Sequence, residues 1–134
     1  YWQYSDIPSP GTPALMGNGV PNAKYQTLKH YYRYIRPGAE RVSSTSSNAE
    51  VKVAAFQHPQ TGDDSIVLLN NLIEDAQGTL NLAGTGWASS FRAIQSVDGA
   101  YHTELSPVVN ADGTVTLTMP AKSVVTLFAG TDLV

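Results

Sequence analysis

The sequence predicts an all-β fold, an antiparallel β-sandwich of about eight strands that follows a short strand, a loop and a helix. Two observations carry this prediction. Short apolar or alternating segments recur after residue 50, and turn pairs such as Asp98-Gly99 and Asp112-Gly113 separate some of them. A helical spacing of apolar residues precedes these segments, near the start of the chain. At 134 residues, 42% of them hydrophobic, the chain is long enough for one domain with a core.

The first elements are a strand and a loop. Residues 1–5, YWQYS, are predicted to form a short strand. Residues 6–22 hold four prolines and three glycines, which interrupt a regular ladder of backbone donors. We therefore expect residues 6–22 to be a loop.

The helix is predicted over about residues 23–34. Asn22 precedes it with a side chain suited to an N-cap. Four apolar residues then follow at spacings of three, four and three, which predicts that they share one face: Tyr25, Leu28, Tyr32 and Ile35. Pro37 disfavours helical backbone at the preceding residue, and Gly38 permits a sharp change of direction. The tyrosines of this helix are expected to serve packing rather than ligand binding.

The strands of the sandwich follow in order. They are predicted within residues 41–44, 50–56, 65–72, 78–84, the two halves of 90–105, 110–119 and 123–130. Residues 65–72 are continuously apolar enough for a buried strand. Val115, Leu117 and Met119 alternate with threonines, so they are expected to share one face. Strands at this spacing, without a helix among them, favour the antiparallel sandwich.

Charge and hydropathy exclude several classes of partner. The net charge is −3, and the eight Lys and Arg residues form no stripe that would neutralise a row of phosphates, so we expect no nucleic acid. No apolar run approaches the ~20 residues of a membrane span, so we expect no membrane. Only 14% of the residues are charged, while Thr, Ser, Asn and Gly are abundant, a balance typical of exported carbohydrate-active proteins. Secretion is therefore the expected localisation.

No residue pattern predicts catalysis, a metal site or a cofactor. Cysteine is absent, and His30, His58 and His102 lie far apart in the sequence in unrelated settings. No spacing links a serine to a histidine and an orienting acid. The Asp63-Asp64 pair is expected to form a turn rather than to bind calcium, since further spaced oxygen ligands are missing. Other carboxylates are expected to be solvated surface charges: Glu40, Glu50, Glu74, Asp75 and Glu104.

The end of the helix carries a family resemblance. Residues 32–42, YRYIRPGAERV, contain Ile-Arg-Pro-Gly-x-x-Arg-Val, and the strand order around them resembles the C-terminal third of a family 30 glycoside hydrolase. In that family a (β/α)8 barrel is joined to a β-sandwich side domain. Residues 113–127 also resemble the family's last strands. The resemblance makes residues 1–36 the last strand, loop and helix of the barrel, and residues 37–134 the accessory sandwich.

The resemblance also implies a function. Family members are retaining β-glycosidases, whose two carboxyl groups lie about 5–5.5 Å apart. Both come from barrel strands upstream of residue 1, so the chain alone is expected to be inactive. The resemblance implies an upstream catalytic barrel as partner and a polysaccharide substrate: xylan first, β-glucan or galactan next. Where the glucuronoxylan-specific branch carries a basic run, this chain has Gln3-Tyr4-Ser5-Asp6, which argues against a specificity for glucuronic acid.

Three aromatic residues are the candidates for sugar binding. Trp2 and, more weakly, Tyr4 would lie at the end of a barrel strand, where an indole face can stack on a sugar ring; the alternative is that Trp2 is barrel core. Trp87 is either a sugar platform on the sandwich or an aromatic side chain that anchors its loop on the sheet edge. A stand-alone carbohydrate-binding module and a purely structural domain without a ligand remain alternatives for the whole chain.

Overall fold

The computed structural model describes residues 5–6, 15–82 and 86–131. The predicted first strand lies mostly outside these residues, and its described part is β1 (Ser5–Asp6). The loop prediction is wrong in part, because β2 (Met16–Gly17) pairs in parallel with β1 and in antiparallel with β3 (Val20–Pro21). Asn18 and Gly19, with φ of 48° and 77°, form the two-residue turn between β2 and β3. Asn-Gly is a strong hairpin signal that the proline count obscured.

Helix α1 (Ala23–Tyr34) has the predicted bounds. The side chain of Asn22 caps it by accepting a hydrogen bond from the backbone N–H of Tyr25 at 3.1 Å. The chain then turns at Gly38, whose φ of +96° is left-handed, and an added Cβ there would lie 3.0 Å from Nε2 of His58. The left-handed backbone and the close contact with His58 therefore both require glycine at this turn between the helix and the sheet.

The larger sheet has six strands in the order β4-β5-β6-β12-β8-β9, with every neighbouring pair antiparallel. Its strands are β4 (Glu40–Val42), β5 (Val51–Gln57), β6 (Asp64–Asn70), β8 (Arg92–Val97), β9 (Ala100–Leu105) and β12 (Ser123–Ala129). The predicted hairpin at Asp98-Gly99 joins β8 to β9. The central strands β6 and β12 are buried on both faces, as the apolar run in residues 65–72 predicted.

The smaller sheet has three strands in the order β10-β11-β7, again antiparallel. They are β7 (Ala76–Asn81), β10 (Val108–Val109) and β11 (Thr114–Met119). Val115, Leu117 and Met119 share a buried face, as predicted, and pack with residues of the larger sheet into the main hydrophobic core. The predicted all-β antiparallel sandwich is confirmed.

We call the face of the six-stranded sheet toward the smaller sheet its inner face, and the opposite one its outer face. The inner face carries Ile66, Leu68, Val125 and Leu127. Helix α1 covers the outer face, where Tyr34 packs on Phe128 with ring centroids 5.5 Å apart. Alternation along each strand sends neighbouring residues to opposite faces, so the described residues form three layers: helix, large sheet, small sheet.

Helix α1 docks on the sheet through other residues than the apolar set that the sequence pattern places on one face. His30 and Tyr34 are buried, whereas Tyr32 is 70% exposed. His30 and Tyr34 are four residues apart and therefore lie on the same face of the helix, the one that contacts the sheet. A search for apolar spacing does not find this face, because histidine is not counted as apolar. Tyr25, Leu28 and Ile35 are half-buried.

Candidate functional site

Of the three aromatic candidates, Trp2 and Tyr4 lie outside the described residues. Trp87 is half-buried and packs against the main core. The next residue, Ala88, donates its backbone N–H to Oδ2 of Asp64 at 2.8 Å, which ties the Trp87 loop to β6. The indole thus packs on the core, and it also lines an open cleft at the edge of the sandwich.

This cleft has a volume of about 580 Å³ and lies between the two sheets. Its apolar wall consists of core residues such as Ile66, Leu68 and Met119. Its polar wall consists of residues 43–48, SSTSSN, whereas Ala76 and Leu80 of β7 add to the apolar side. Hydroxyl and amide groups beside an indole are the components with which proteins bind sugars. In the sequence Trp87 is a distinctive candidate but residues 43–48 are not, because a run of small polar residues is typical of any loop.

The carboxylates form no cluster suited to catalysis in this cleft. Glu40, Glu50, Glu74, Asp75 and Glu104 are exposed, as expected. None of the described residues that line the cleft is an aspartate or a glutamate. Within residues 5–6, 15–82 and 86–131, no group of three or more His, Cys, Asp or Glu side chains is arranged to hold a metal ion.

The prediction that Asp63 and Asp64 form a turn is wrong. Both are buried, and Asp64 begins β6. Its Oδ1 accepts a hydrogen bond from Nε2 of Gln57 at 3.0 Å, and its Oδ2 accepts one from Ala88. Asp63 Oδ1 accepts a hydrogen bond from the backbone N–H of Thr131 at 3.4 Å. These bonds connect three segments of the sandwich, so the pair has a structural task.

The expectation that the histidines stand in unrelated settings is wrong for two of the three. The rings of His30 and His102 stack with centroids 4.6 Å apart and an interplanar angle of 20°. They come from α1 and β9, which the sheet brings together although 71 residues separate them in the sequence. His58 is separate from this pair and accepts hydrogen bonds at Nδ1 from the backbone N–H groups of Gln60 and Thr61.

His30 is fully buried and bonded at both ring nitrogens. Its Nδ1 lies 2.8 Å from Oγ1 of Thr126 on β12, and its Nε2 lies 2.8 Å from Oγ of Ser96 on β8. The Ser96 hydroxyl also accepts a hydrogen bond from the backbone N–H of His102 at 3.0 Å. We call His30, Ser96, His102 and Thr126 the histidine cluster.

A β-bulge places His102 in this cluster. The register of β8 and β9 shifts between Gln95 and Val97, opposite His102. His102 itself has a φ of 55°, a left-handed conformation that is uncommon for a residue with a Cβ. Its Nε2 donates to the carbonyl of Gln26 on α1 at 3.2 Å. The bulge therefore aims the imidazole at the helix.

Burial is the main cause that lowers the pKa of His30 from 6.5 to about 4, and the nearby His102 and Lys29 contribute to this shift. Burial is also the main cause that lowers the pKa of His102, with Lys29 adding to it. Both imidazoles are therefore neutral at pH 7. A neutral His30 beside Ser96 has the atoms of a nucleophile and its base, but both side chains are buried between α1 and the sheet, so they are not placed to meet a substrate.

The chain matches a known domain family. The family model described as the glycosyl hydrolase family 30 beta sandwich domain matches residues 38–127. This range begins at the turn after α1 and ends within β12, so it contains both sheets of the sandwich.

Solved structures with the same fold include three xylanases. A family 30 endoxylanase from Clostridium papyrosolvens matches with a TM-score of 0.76 and 23% identity, over 88% of this chain and 30% of that chain. The catalytic domain of family 30 xylanase C from Talaromyces cellulolyticus matches with a TM-score of 0.74 and 27% identity, over 88% of this chain and 27% of that one. A subfamily 8 xylanase of the family from Clostridium acetobutylicum matches with a TM-score of 0.78 and 20% identity, over 92% and 32%.

These likenesses establish a shared fold for a limited part of the larger proteins, since the chain spans about 30% of the length of the matched endoxylanase. Membership of the family rests on the family model, whose match over residues 38–127 covers well over half of the chain. The chain therefore belongs to glycoside hydrolase family 30, and the part of that family it represents is the beta sandwich domain.

Proposed function

We propose that the chain is the non-catalytic C-terminal part of a secreted, retaining β-glycosidase that acts on a polysaccharide, with xylan as the first candidate. One combined observation carries this proposal: the chain holds the family's sandwich, and it spans about 30% of a matched endoxylanase. The carboxylates support it, because those within residues 15–82 and 86–131 are exposed or engaged in structural hydrogen bonds. The catalytic pair would then come from an upstream barrel.

The proposed task of the chain is to stabilise that barrel. In this proposal residues 1–36 complete the barrel and residues 37–134 form the accessory sandwich. The outward side of α1 supports a packing role, because Tyr32 is 70% exposed and Val20, in the neighbouring hairpin, is 66% exposed. Large apolar side chains exposed on a helix favour contact with another protein surface.

Mixing the chain with the upstream catalytic barrel of its parent protein tests this task. We expect the chain alone to release no reducing sugar from xylan, and the mixture to melt at a higher temperature than the barrel alone. Tyr32→Asp should remove most of that gain, because it places a charge in the contact. Ile73→Asp is the matched control, since Ile73 is 88% exposed in the connection between β6 and β7 rather than on α1.

Two results would contradict the proposal. Release of reducing sugar by the chain alone would show that it carries its own catalytic groups. An unchanged melting temperature of the barrel in the mixture would remove the stabilising task.

The cleft supports a second candidate function, the binding of an oligosaccharide by the sandwich. Trp87 and the polar residues 43–48 line the same space of about 580 Å³. Affinity electrophoresis in gels that contain xylan, a β-glucan or a galactan tests this candidate. Retardation that Trp87→Ala abolishes, and that Ile73→Ala leaves unchanged, would support sugar binding in the cleft. Unretarded migration in all three gels would leave a domain with a structural role only.

A further inference from the structure

His30 is the main polar connection between helix α1 and the sheet beneath it. Its two ring nitrogens contact hydroxyls on two different strands, Thr126 on β12 and Ser96 on β8. His102 adds a second connection, since its ring stacks on His30 and its Nε2 donates to the helix carbonyl of Gln26. The docking of α1 thus depends on the histidine cluster as well as on the contact of Tyr34 with Phe128 and Ile94.

The hydrogen bonds of the cluster favour a neutral His30 with its proton on Nδ1. The Ser96 hydroxyl accepts from His102 N–H, and its own hydrogen is satisfied by donation to Nε2 of His30. Nδ1–H then donates to Thr126. A second proton on Nε2 would deprive the buried Ser96 hydroxyl of this acceptor, and an unsatisfied buried donor is costly.

The charged groups around the cluster also oppose a second proton. Lys29 and Arg33 come from α1, and His102 comes from β9. Glu104 lies two residues after His102 on the same face of β9, but it forms an ion pair with Arg92 of β8 at 2.8 Å. The residues that β12 and β6 present to the helix beside the cluster are uncharged, as in Thr126 and Ser65. Protonated His30 would therefore face cations in a buried site.

We propose that His30 and His102 form an acid-sensitive latch, which holds helix α1 on the sheet while both rings are neutral and releases it when His30 is protonated. The left-handed backbone of His102 supports this role, since residues held in such conformations cluster at switch regions. We expect the sandwich to keep its structure during release, because its core cluster consists of nine apolar residues without a titratable group, and the buried Asp63 and Asp64 lie outside that cluster.

The size of the effect follows from linkage. Release exposes His30 to water, where its pKa returns to 6.5 from about 4. The ratio of released to docked helix then rises about tenfold for each pH unit below 6.5 and levels off near pH 4, for a total of about 300-fold.

Hydrogen–deuterium exchange of the 134-residue chain, read as protection factors between pH 7 and pH 4, tests the latch. We expect protection of the α1 amides to fall about tenfold per pH unit below 6.5, while the amides of β6 and β12 keep theirs. His30→Asn removes the main titrating group, so its helix protection should vary much less with pH, even if docking is weaker throughout. In His102→Asn the asparagine can adopt the left-handed backbone, and His30 stays in place. Protection of the α1 amides in this variant should therefore still depend on pH.

The nitrogen chemical shifts of the imidazoles provide a test without substitution. We expect His30 at pH 6 to be the neutral form with its proton on Nδ1. An imidazolium at pH 6 would overturn the proposal. Three exchange results would also overturn it. These are helix protection that is independent of pH in the wild-type chain, loss of protection in α1, β6 and β12 together, and a pH dependence in His30→Asn equal to that of the wild-type chain.

Discussion

The two faces of the six-stranded sheet are built from alternate residues of the same strands, yet different forces hold them. On the inner face, Leu127 and Val125 of β12 are fully buried among apolar side chains. On the outer face of the same strand, Thr126 is equally buried but is hydrogen-bonded to His30. One strand therefore serves an apolar core and a polar contact at once.

The two faces should therefore respond differently to substitution and to pH. The free energy gained by apolar burial is roughly proportional to the buried area and depends little on direction. The stability that the apolar core of the inner face provides should therefore fall when side-chain volume is removed, and should not depend on pH. Hydrogen bonds to a buried imidazole depend on direction and protonation state, so the outer face should respond to both. Four measurements test this contrast, in order of the expected effect.

Leu127→Ala on the inner face is expected to have the largest effect. Leu127 is fully buried in the main core, so the substitution should lower the free energy of unfolding by about 3 kcal/mol, through lost burial and the cavity left behind. Urea denaturation measures this loss. Tyr32→Ala is the control, because a side chain with 70% exposure should change stability by less than about 0.5 kcal/mol. Equal losses in the two variants would contradict the assignment of the core to the inner face.

Acidification is the corresponding test of the outer face. The pKa of His30 is lowered from 6.5 to about 4 in the folded chain, so the unfolded chain binds a proton first as the pH falls. The stabilising contribution of neutral His30 is therefore present above pH 6.5, is lost between pH 6.5 and 4, and falls no further below that. The loss should be about 3 kcal/mol. Urea midpoints across this range measure it, and His30→Asn should lack this component.

Asn70→Ala tests the polar exception on the inner face. Asn70 is buried, and its Nδ2 donates to the carbonyls of Met119 and Pro120 at 3.1 and 2.9 Å. The alanine variant would leave these carbonyls without that donor, so we expect a loss of about 2 kcal/mol that does not vary with pH. Asn71→Ala, at the exposed neighbouring residue, is the control in the same denaturation experiment. A smaller loss at Asn70 than at Asn71 would contradict the assignment.

His102→Gly and His102→Ala form the matched pair with the smallest expected effect. Both remove the stacked ring, but only glycine accepts a φ of 55° without crowding at Cβ. The glycine variant should therefore be more stable than the alanine variant by about 1 kcal/mol. Thermal or urea unfolding of both proteins measures the difference. An alanine variant as stable as the glycine variant would show that the bulge holds no strain.

Much of the fold could be predicted from the sequence because local patterns carry it. The bounds of α1 follow from Asn22 and Pro37, and the buried face of β11 follows from alternation of Val115, Leu117 and Met119. The pairing of β2 with β3 was missed although Asn18-Gly19 signals a hairpin, because the prolines around it suggested a loop. Local signals thus failed where two of them conflicted.

The candidate sites were less predictable. Trp87 stood out by residue type, but the polar loop of residues 43–48 that shares its cleft is distant in sequence and has no distinctive pattern. The histidine cluster was missed for the same reason, since His30 and His102 meet only through the pairing of β8 with β9 and β12. A helix face that includes a histidine is also not found by the spacing of apolar residues, because histidine is not one of them.

Local patterns in the sequence suffice for the class of fold, the position of the helix and the family resemblance at Ile35-Arg36-Pro37-Gly38, because periodicity, capping and turn chemistry act over a few neighbouring residues. That α1 docks through His30 and Tyr34, while Tyr32 is exposed, follows from the tertiary structure alone. The physical reason is that a hydroxyl pair supplied by two strands can satisfy a buried imidazole, and no local pattern records which strands will become neighbours.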